Sequence, residues 1–332
     1  MLQFHNRTPF EGKIFATPDQ TGVDSIYAVA KATFRIGEGI DIAEKQAPVS
    51  LKDEYLGEPG KSSVCVPSDF ALAKPGTDVV MTGSAYSSAG TVAHYVDVRL
   101  SIGSMSKVVR VFGDRVWERT AMGYSPTQPA PFERMHLLWE RAYGGNDISR
   151  GLPVAEDRNP VGAGFFADHG AKPVSGSPLP NLEDPYQSIN APGDRPTPAG
   201  FGPICGHWQP RRSYAGTYDA AWQANRAPYL PADFDARFFQ VAPPDLISPA
   251  YLNGGEPVEI VGVHPNGPLR FYLPLLNVHF KFRVEQEVQT RPGVLDLVWF
   301  DTDNLQLTMT WRACLALDKR IRRVREVEAA LG

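Results

Sequence analysis

Cysteine is scarce in this sequence, which has only Cys65, Cys205 and Cys314 and no CxxC pair. An odd number of isolated cysteines argues against a disulfide framework and is typical of a reducing compartment. No window reaches the ~18 consecutive apolar residues of a membrane span, and the N-terminus has no basic segment followed by an apolar one. We therefore expect three free thiols, no membrane partner and a cytoplasmic location.

An excess of positive charge is also missing. The 332 residues include 33 Lys and Arg against 37 Asp and Glu, which gives a formal net charge of −4 at pH 7. Nucleic-acid binding usually requires a broad positive field, so no nucleic-acid partner is expected. With 42% apolar and 21% charged residues, the composition is that of an ordinary folded globular protein.

The common motifs of catalysis and cofactor binding are absent. The sequence contains no GxSxG, HExxH, GxxxxGK[ST] or DxDxDG pattern. The glycine runs at 162–164 and 200–202 lack the preceding strand and following helix of a phosphate-binding loop. Cys205 and His207 are close enough to share a metal ion, but no second pair at zinc spacing accompanies them. We expect no metal and no cofactor.

Strand patterns are concentrated at the two ends of the chain. Within 1–120 and 258–317, β-branched residues alternate with polar ones and are bounded by Gly, Ser and Asp. The segments 265–267 (PNG) and 301–304 (DTDN) have the chemistry of hairpin turns. The sequence predicts a mainly β fold of antiparallel sheets, sandwich-like or barrel-like, in which the two ends pair with each other.

The middle segment, 121–257, has a different amino-acid composition. Residues 144–257 hold 17 of the 30 prolines but only one lysine, and this proline density excludes long regular elements. We expect a loop-rich segment with a few short α-helices. Two of these are predicted at 131–145 and at 217–228, the second with Thr217 as its N-cap.

A basic C-terminal helix is predicted for residues 318–332. Asp318 has the chemistry of an N-cap, and Ile321, Val324, Val327 and Leu331 form an apolar line. Positive charge in the first turns of a helix opposes its dipole, so either the helix is simply solvated or the cluster binds an acidic partner. The candidate partner-binding residues of this cluster are Arg320, Arg322 and Arg323.

The stretch 199–222 combines glycines and prolines with aromatic and arginine side chains. Interface hot spots are enriched in Trp, Tyr and Arg, which makes this stretch a candidate binding surface. The same side chains can instead pack an irregular segment against the sheets. The candidate partner-binding residues here are Trp208, Arg211, Arg212, Tyr214, Tyr218 and Trp222.

The alternative hypothesis is that the middle segment contains the active site of an enzyme. Glu156, Asp157 and Asp219 lie among aromatic residues, as carboxylates do in the clefts of carbohydrate-cleaving enzymes. A hydrolase, for example a carbohydrate-active one, would then have its site in this segment. Sequence spacing alone does not test that hypothesis.

Several motifs, in this order along the chain, resemble a family of uncharacterised bacterial domains (DUF2169-like) encoded beside the VgrG spike protein of type VI secretion systems. The resemblance covers nearly the whole chain and implies a single adaptor domain over 1–332 without enzymatic activity. It implies an adaptor or chaperone that binds a toxin effector in the cytoplasm and promotes its loading onto VgrG. The motifs are NRTPFEG, KATF, KPGTDVVMTGSAY, GDRVW, LLWERAYGGND, RNPVGAGFF, AGFGPICGHWQPRRSYAGTYDAAW, RAPYLPADFDARFFQVAPPD and YLPLLNV.

Overall fold

A computed structural model describes residues 2–148, 151–168, 170 and 173–332 of the chain. Within these residues one α-helix is present, α1 (Ala220–Asn225), and short 3-10 helices cover Trp139–Arg141, Arg211–Tyr214, Ala236–Phe239, Pro244–Leu246 and Ile321–Arg323. The strands are β1 (Gln3–Asn6), β2 (Glu11–Pro18), β3 (Asp24–Ile36), β4 (Ile40–Ile42), β5 (Glu54–Tyr55), β6 (Val64–Val66), β7 (Asp78–Thr82), β8 (Ser84–Tyr86), β9 (Tyr95–Ile102), β10 (Met105–Phe112), β11 (Trp117–Thr120), β12 (Gly123–Pro126), β13 (Arg134–His136), β14 (Tyr143–Gly144), β15 (Asn146–Asp147), β16 (Val154–Ala155), β17 (Ala163–Gly164), β18 (Leu182–Glu183), β19 (Pro257–Val261), β20 (Leu269–Tyr272), β21 (Val278–Val284), β22 (Glu287–Pro292), β23 (Val294–Asp301), β24 (Gln306–Ala316) and β25 (Val324–Leu331).

Three sheets form the body of the fold. A six-stranded sheet has the order β2-β3-β24-β23-β7, with β4 also paired to β3. A five-stranded sheet has the order β18-β10-β9-β19-β20, and a four-stranded sheet has the order β1-β25-β21-β22. Most neighbouring strands are antiparallel, and none of these sheets closes into a barrel within the described residues. The prediction of a mainly β fold with antiparallel sheets is confirmed, but the barrel-like variant is not.

Strands from the two ends of the chain pair with each other, as predicted. β3 pairs antiparallel with β24 over its residues 25–35, β7 lies parallel to β23, and β9 is antiparallel to β19. The predicted hairpins are also present, because β19 pairs with β20 and β23 pairs with β24 around the DTDN turn. Each of the three sheets thus contains strands from both ends of the chain.

Oppositely charged side chains are buried where loops cover the six-stranded sheet. Lys31 on β3 lies 2.9 Å from Asp69, and Arg312 on β24 lies 2.6 Å from Asp296. All four side chains are almost fully buried. A buried charge requires a partner of opposite sign. The Lys31–Asp69 pair therefore fixes the covering loop 67–74 on the sheet, whereas the Arg312–Asp296 pair joins the neighbouring strands β24 and β23.

The predicted C-terminal helix is wrong. Residues 321–323 form one 3-10 turn, and the chain then continues as β25, which pairs with β21 on one side and with β1 on the other. Glu328 forms ion pairs with Lys281 and Arg7, at 3.0 and 2.7 Å. Pairing with these distant strands stabilises the segment more than a helix with the local apolar pattern would. The arginines clustered in the first turns already disfavoured that helix.

Of the two helices predicted in the middle segment, the first is absent and the second is present. Residues 131–145 contain β13, a 3-10 turn and β14 instead of a helix, because Met135 and Leu137 are buried while Arg134 and His136 are exposed. That alternation has the period of a strand. The helix at 217–228 exists as α1, but Asp219, not Thr217, is its N-cap.

Candidate functional site

Three aromatic side chains, two exposed and one half-buried, lie on or beside α1, the one α-helix of the described residues. The rings of Tyr218 and Trp222 meet edge to face, with centroids 4.7 Å apart, and Tyr218 is 53% exposed. The indole Nε1 of Trp222 donates a hydrogen bond to the carbonyl oxygen of Tyr229 at 2.8 Å, and the Tyr229 side chain is exposed as well. We call Tyr218, Trp222 and Tyr229 the aromatic ledge.

Hydrogen bonds hold the aromatic ledge against the body of the fold. Arg226, at the end of α1, donates to the carbonyl oxygens of Leu230 at 2.8 Å and of Gln20 at 2.6 Å. On the other side of the ledge, the amide and hydroxyl of Thr217 both donate to the carboxylate of Asp233. These bonds also lower the pKa of Asp233 below its usual value, which keeps the acceptor charged. The ledge is therefore fixed at both ends.

The N-cap of α1 gives a direct test of how the aromatic ledge is held. The Asp219 carboxylate accepts a hydrogen bond from the amide of Trp222 at 2.8 Å. Loss of an N-cap typically costs about 0.5–2 kcal/mol. We expect Asp219→Ala to loosen α1 and to increase amide exchange at residues 220–225, measured by hydrogen-deuterium exchange. Asp219→Asn, which retains a capping oxygen, is the control; equal exchange in both variants would contradict the capping role.

Trp208 belongs to the protein interior. Its side chain is 0% exposed and meets Trp139 edge to face at 6.3 Å. Its Nε1 donates to Nε2 of His207 at 3.1 Å. Burial, together with the nearby charge of Arg211, lowers the pKa of His207, which favours the neutral ring that this acceptor role requires. Trp208 has no surface to offer a partner in this fold, so we assign it to the core.

Arg211 is also buried, and it ties separate parts of the middle segment together. Its guanidinium donates to the carbonyl oxygens of Phe238 at 2.8 Å and of Ile204 at 2.5 Å. It also lies over the Phe238 ring, 5.3 Å from the centroid. Arginine suits this role because its planar fork satisfies several loop carbonyls at once. We therefore assign Arg211 to the interior rather than to a binding surface.

Arg212 and Tyr214 lie nearer the surface than Trp208 and Arg211. Arg212 is exposed and pairs with Asp157 at 2.9 Å. The half-buried ring of Tyr214 is covered by the guanidinium of Arg237, 4.4 Å from the ring centroid. Both side chains remain accessible, but each already has a partner within the chain.

The three arginines predicted near the C-terminus lie in the turn between β24 and β25. All three are exposed. Arg320 donates to the carbonyl oxygen of Leu317 at 3.2 Å, and Arg323 lies 3.3 Å from Glu285. The basic cluster therefore lies on a 3-10 turn and not on an α-helix, and it is separate from the aromatic ledge in sequence.

The carboxylates considered for a hydrolase all make structural contacts. Burial raises the pKa of Glu156, but the bidentate hydrogen bonds and charge of Arg158 outweigh it and hold that pKa below its usual value. Asp157 pairs with Arg212, and Asp219 caps α1. Throughout the described residues, no group of three or more His, Cys, Asp or Glu side chains is placed to hold a metal ion. Burial raises the pKa of Cys205 to about 12, so its thiol stays protonated.

A groove of about 670 Å³ was not anticipated from the sequence. Lys107 on β10, paired with Asp245 at 2.8 Å, and the exposed side chain of Tyr186 both line it. The walls come from segments far apart in the sequence, and no local motif connects them. Its lining includes Trp139, Pro198, Ile204, Pro210, Pro243 and Pro244.

Most of the chain matches a known family of proteins. Residues 21–312 match the family described as "Uncharacterized protein conserved in bacteria (DUF2169)". No curated protein and no solved structure matches the chain. Among the described residues, no helix has the length and apolar character needed to cross a membrane.

Proposed function

We propose, starting from the fact that the chain belongs to the DUF2169 family of uncharacterized bacterial proteins, that it is an adaptor for a toxin effector. In this proposal the protein binds the toxin in the cytoplasm and promotes its loading onto the VgrG spike of a type VI secretion system. The observation that carries the proposal is the aromatic ledge: exposed Tyr218 and Tyr229 flank α1, half-buried Trp222 lies on it, and hydrogen bonds hold the segment at both ends.

The aromatic ledge has the properties of a binding anchor. Tyr and Trp offer a large apolar area together with a polar group, and they dominate the energetics of protein interfaces. Because hydrogen bonds from Trp222, Arg226 and Thr217 already hold the ledge, little additional ordering is needed when a partner binds. A surface of this kind is suited to binding another protein.

Binding of this kind can also protect the toxin. A ligand that binds only the folded state, present at 100 times its dissociation constant, stabilises that state by about 2.7 kcal/mol. For a marginally stable toxin this shift reduces the unfolded fraction about 100-fold. Release then requires that contacts with the VgrG spike replace those of the adaptor.

The proposal predicts that Tyr218→Ala weakens toxin binding. Tyr95, on β9, is as exposed as Tyr218, at 52% against 53%, and Tyr95→Ala is therefore the matched control. With the toxin encoded by a neighbouring gene, measured by isothermal titration calorimetry, Tyr218→Ala should raise the Kd about 30-fold, the effect of a hot spot of about 2 kcal/mol. Tyr95→Ala should leave the Kd unchanged.

Two results would contradict the adaptor function itself. One is a toxin that neither co-purifies with the wild-type protein nor gains abundance when co-expressed with it. The other is appearance of the protein in the secreted fraction, which is expected of a spike component rather than of an adaptor. Equal Kd values for the Tyr218 and Tyr95 variants would move the binding surface away from the aromatic ledge.

A further inference from the structure

β20 is the last strand of the five-stranded sheet and pairs only with β19. Across the described part of the chain, no backbone hydrogen bond joins residues 269–272 to a segment on the other side. The amide of Leu273 donates to the carbonyl oxygen of Glu256 at 2.9 Å, toward the β19 side. Because backbone groups alternate along an antiparallel strand, the N–H and C=O groups of Arg270 and Tyr272 point to the open edge.

The side chains of β20 divide between its two faces. Leu269 and Phe271 are half-buried against the core, and the Phe271 ring lies 6.0 Å from that of Phe300. Arg270 and Tyr272 lie on the other face, where Tyr272 is 70% exposed. An additional strand beside β20 would extend both surfaces, because side chains on neighbouring strands lie next to each other on each face.

Four of the other edge strands are protected. The outer side of β7 is covered by Ile247, which bridges to Asp78, and the outer side of β18 is covered by Ala142, which bridges to Leu182. β2 and β22 carry charged residues and each ends at a proline, two devices that discourage edge-to-edge pairing.

β20 has less protection than these edges. Its one charged side chain, Arg270, is paired with Glu259 at 2.8 Å on the same sheet, and its four residues include no proline. Pro268 and Pro274 flank β20, so the open edge is limited to about the length of this strand. The exposed side chain of Leu275 extends the apolar surface just past its end.

We propose that β20 binds an extended segment of the toxin as a sixth strand of this sheet. The identity of the partner rests on the proposed adaptor function, whereas the mode of binding follows from the open edge. Only an extended chain presents donors and acceptors at the spacing of Arg270 and Tyr272. The segment should carry apolar side chains at alternate positions, beside Leu269 and Phe271, so that they continue the core-facing surface.

The variant Arg270→Pro tests this mode of binding. Proline removes the outward N–H of residue 270 and leaves the donors that face β19 in place. Arg270→Thr is the matched control, because it removes the charge and retains the N–H. In titrations with the neighbouring toxin, Arg270→Pro should raise the Kd about tenfold relative to Arg270→Thr. Both variants are first compared with the wild type in thermal melts.

Hydrogen exchange on the wild-type protein gives a measurement that needs no variant. The amides of Arg270 and Tyr272 should exchange rapidly in the free protein and at least tenfold more slowly in the toxin complex, because each would then donate to the added strand. If the toxin binds but these amides stay unprotected, the proposed strand addition is overturned and the adaptor function stands. If the wild type does not bind the toxin, both proposals are overturned.

Discussion

Replacing Asp69 with alanine is expected to lower the free energy of unfolding by about 3–5 kcal/mol. Asp69 is 0% exposed and is the counter-ion of Lys31, whose side chain is 1% exposed, on the long central strand β3. Its Oδ2 atom also accepts a hydrogen bond from the amide of Ser50 at 2.9 Å. Without the carboxylate, the ammonium group of Lys31 is left buried and unpaired, which is far more costly than loss of the pair as a whole.

Urea denaturation followed by circular dichroism measures this effect, with Asp41→Ala as the control. Asp41 pairs with Arg35 at 3.5 Å, and both side chains are largely exposed, so about 1 kcal/mol or less is expected there. The double variant Lys31→Met, Asp69→Leu should recover much of the lost stability, because it removes both charges. Similar losses for Asp69→Ala and Asp41→Ala would show that the buried pair contributes little.

Replacing Trp208 with alanine is expected to cost about 3–5 kcal/mol of stability. The side chain is fully buried, packs on Trp139 and donates a hydrogen bond to His207, so its removal leaves a cavity and an unpaired ring nitrogen. Tyr218→Ala, by contrast, loses one edge-to-face contact with Trp222 and should cost about 1 kcal/mol.

The comparison of these two variants separates interior from surface in the middle segment. Thermal melts should show a large decrease in Tm for Trp208→Ala and a small one for Tyr218→Ala. In toxin-binding titrations, run below the Tm of each variant, Tyr218→Ala should raise the Kd more than Trp208→Ala does. A Trp208 variant as stable as the wild type would place that side chain outside the core.

Periodicity in the sequence predicted the parts of the fold that depend on local pattern. The hairpins at 257–272 and 294–316 have alternating residues and turn chemistry within one short window, and both are present. The C-terminal segment failed because its deciding partners are remote. Glu326 pairs with Arg283 at 3.1 Å, and β1 lies alongside β25, yet nothing within residues 318–332 indicates either contact.

Composition predicted the region of the candidate site but not the role of each residue. Trp208 and Trp222 lie 14 residues apart in the same aromatic stretch, yet one is buried and the other is half-exposed on α1. Aromatic and arginine residues are enriched both in interfaces and in the packing of irregular loops, so residue type alone does not distinguish the two. Tyr229 was missed because it lies beyond the stretch 199–222 and joins the aromatic ledge through its backbone carbonyl oxygen, which accepts the hydrogen bond of the Trp222 indole.

The pairing of β3, β7 and β9 with strands from the last quarter of the chain has a consequence for biosynthesis. A ribosome releases the N-terminal strands before their neighbours have been made, so none of the three sheets is complete until its strands within residues 257–331 have been translated. Until then the apolar side chains of β3 lack their neighbouring strand, and transiently exposed apolar surface of this kind makes a partly synthesised chain prone to aggregation.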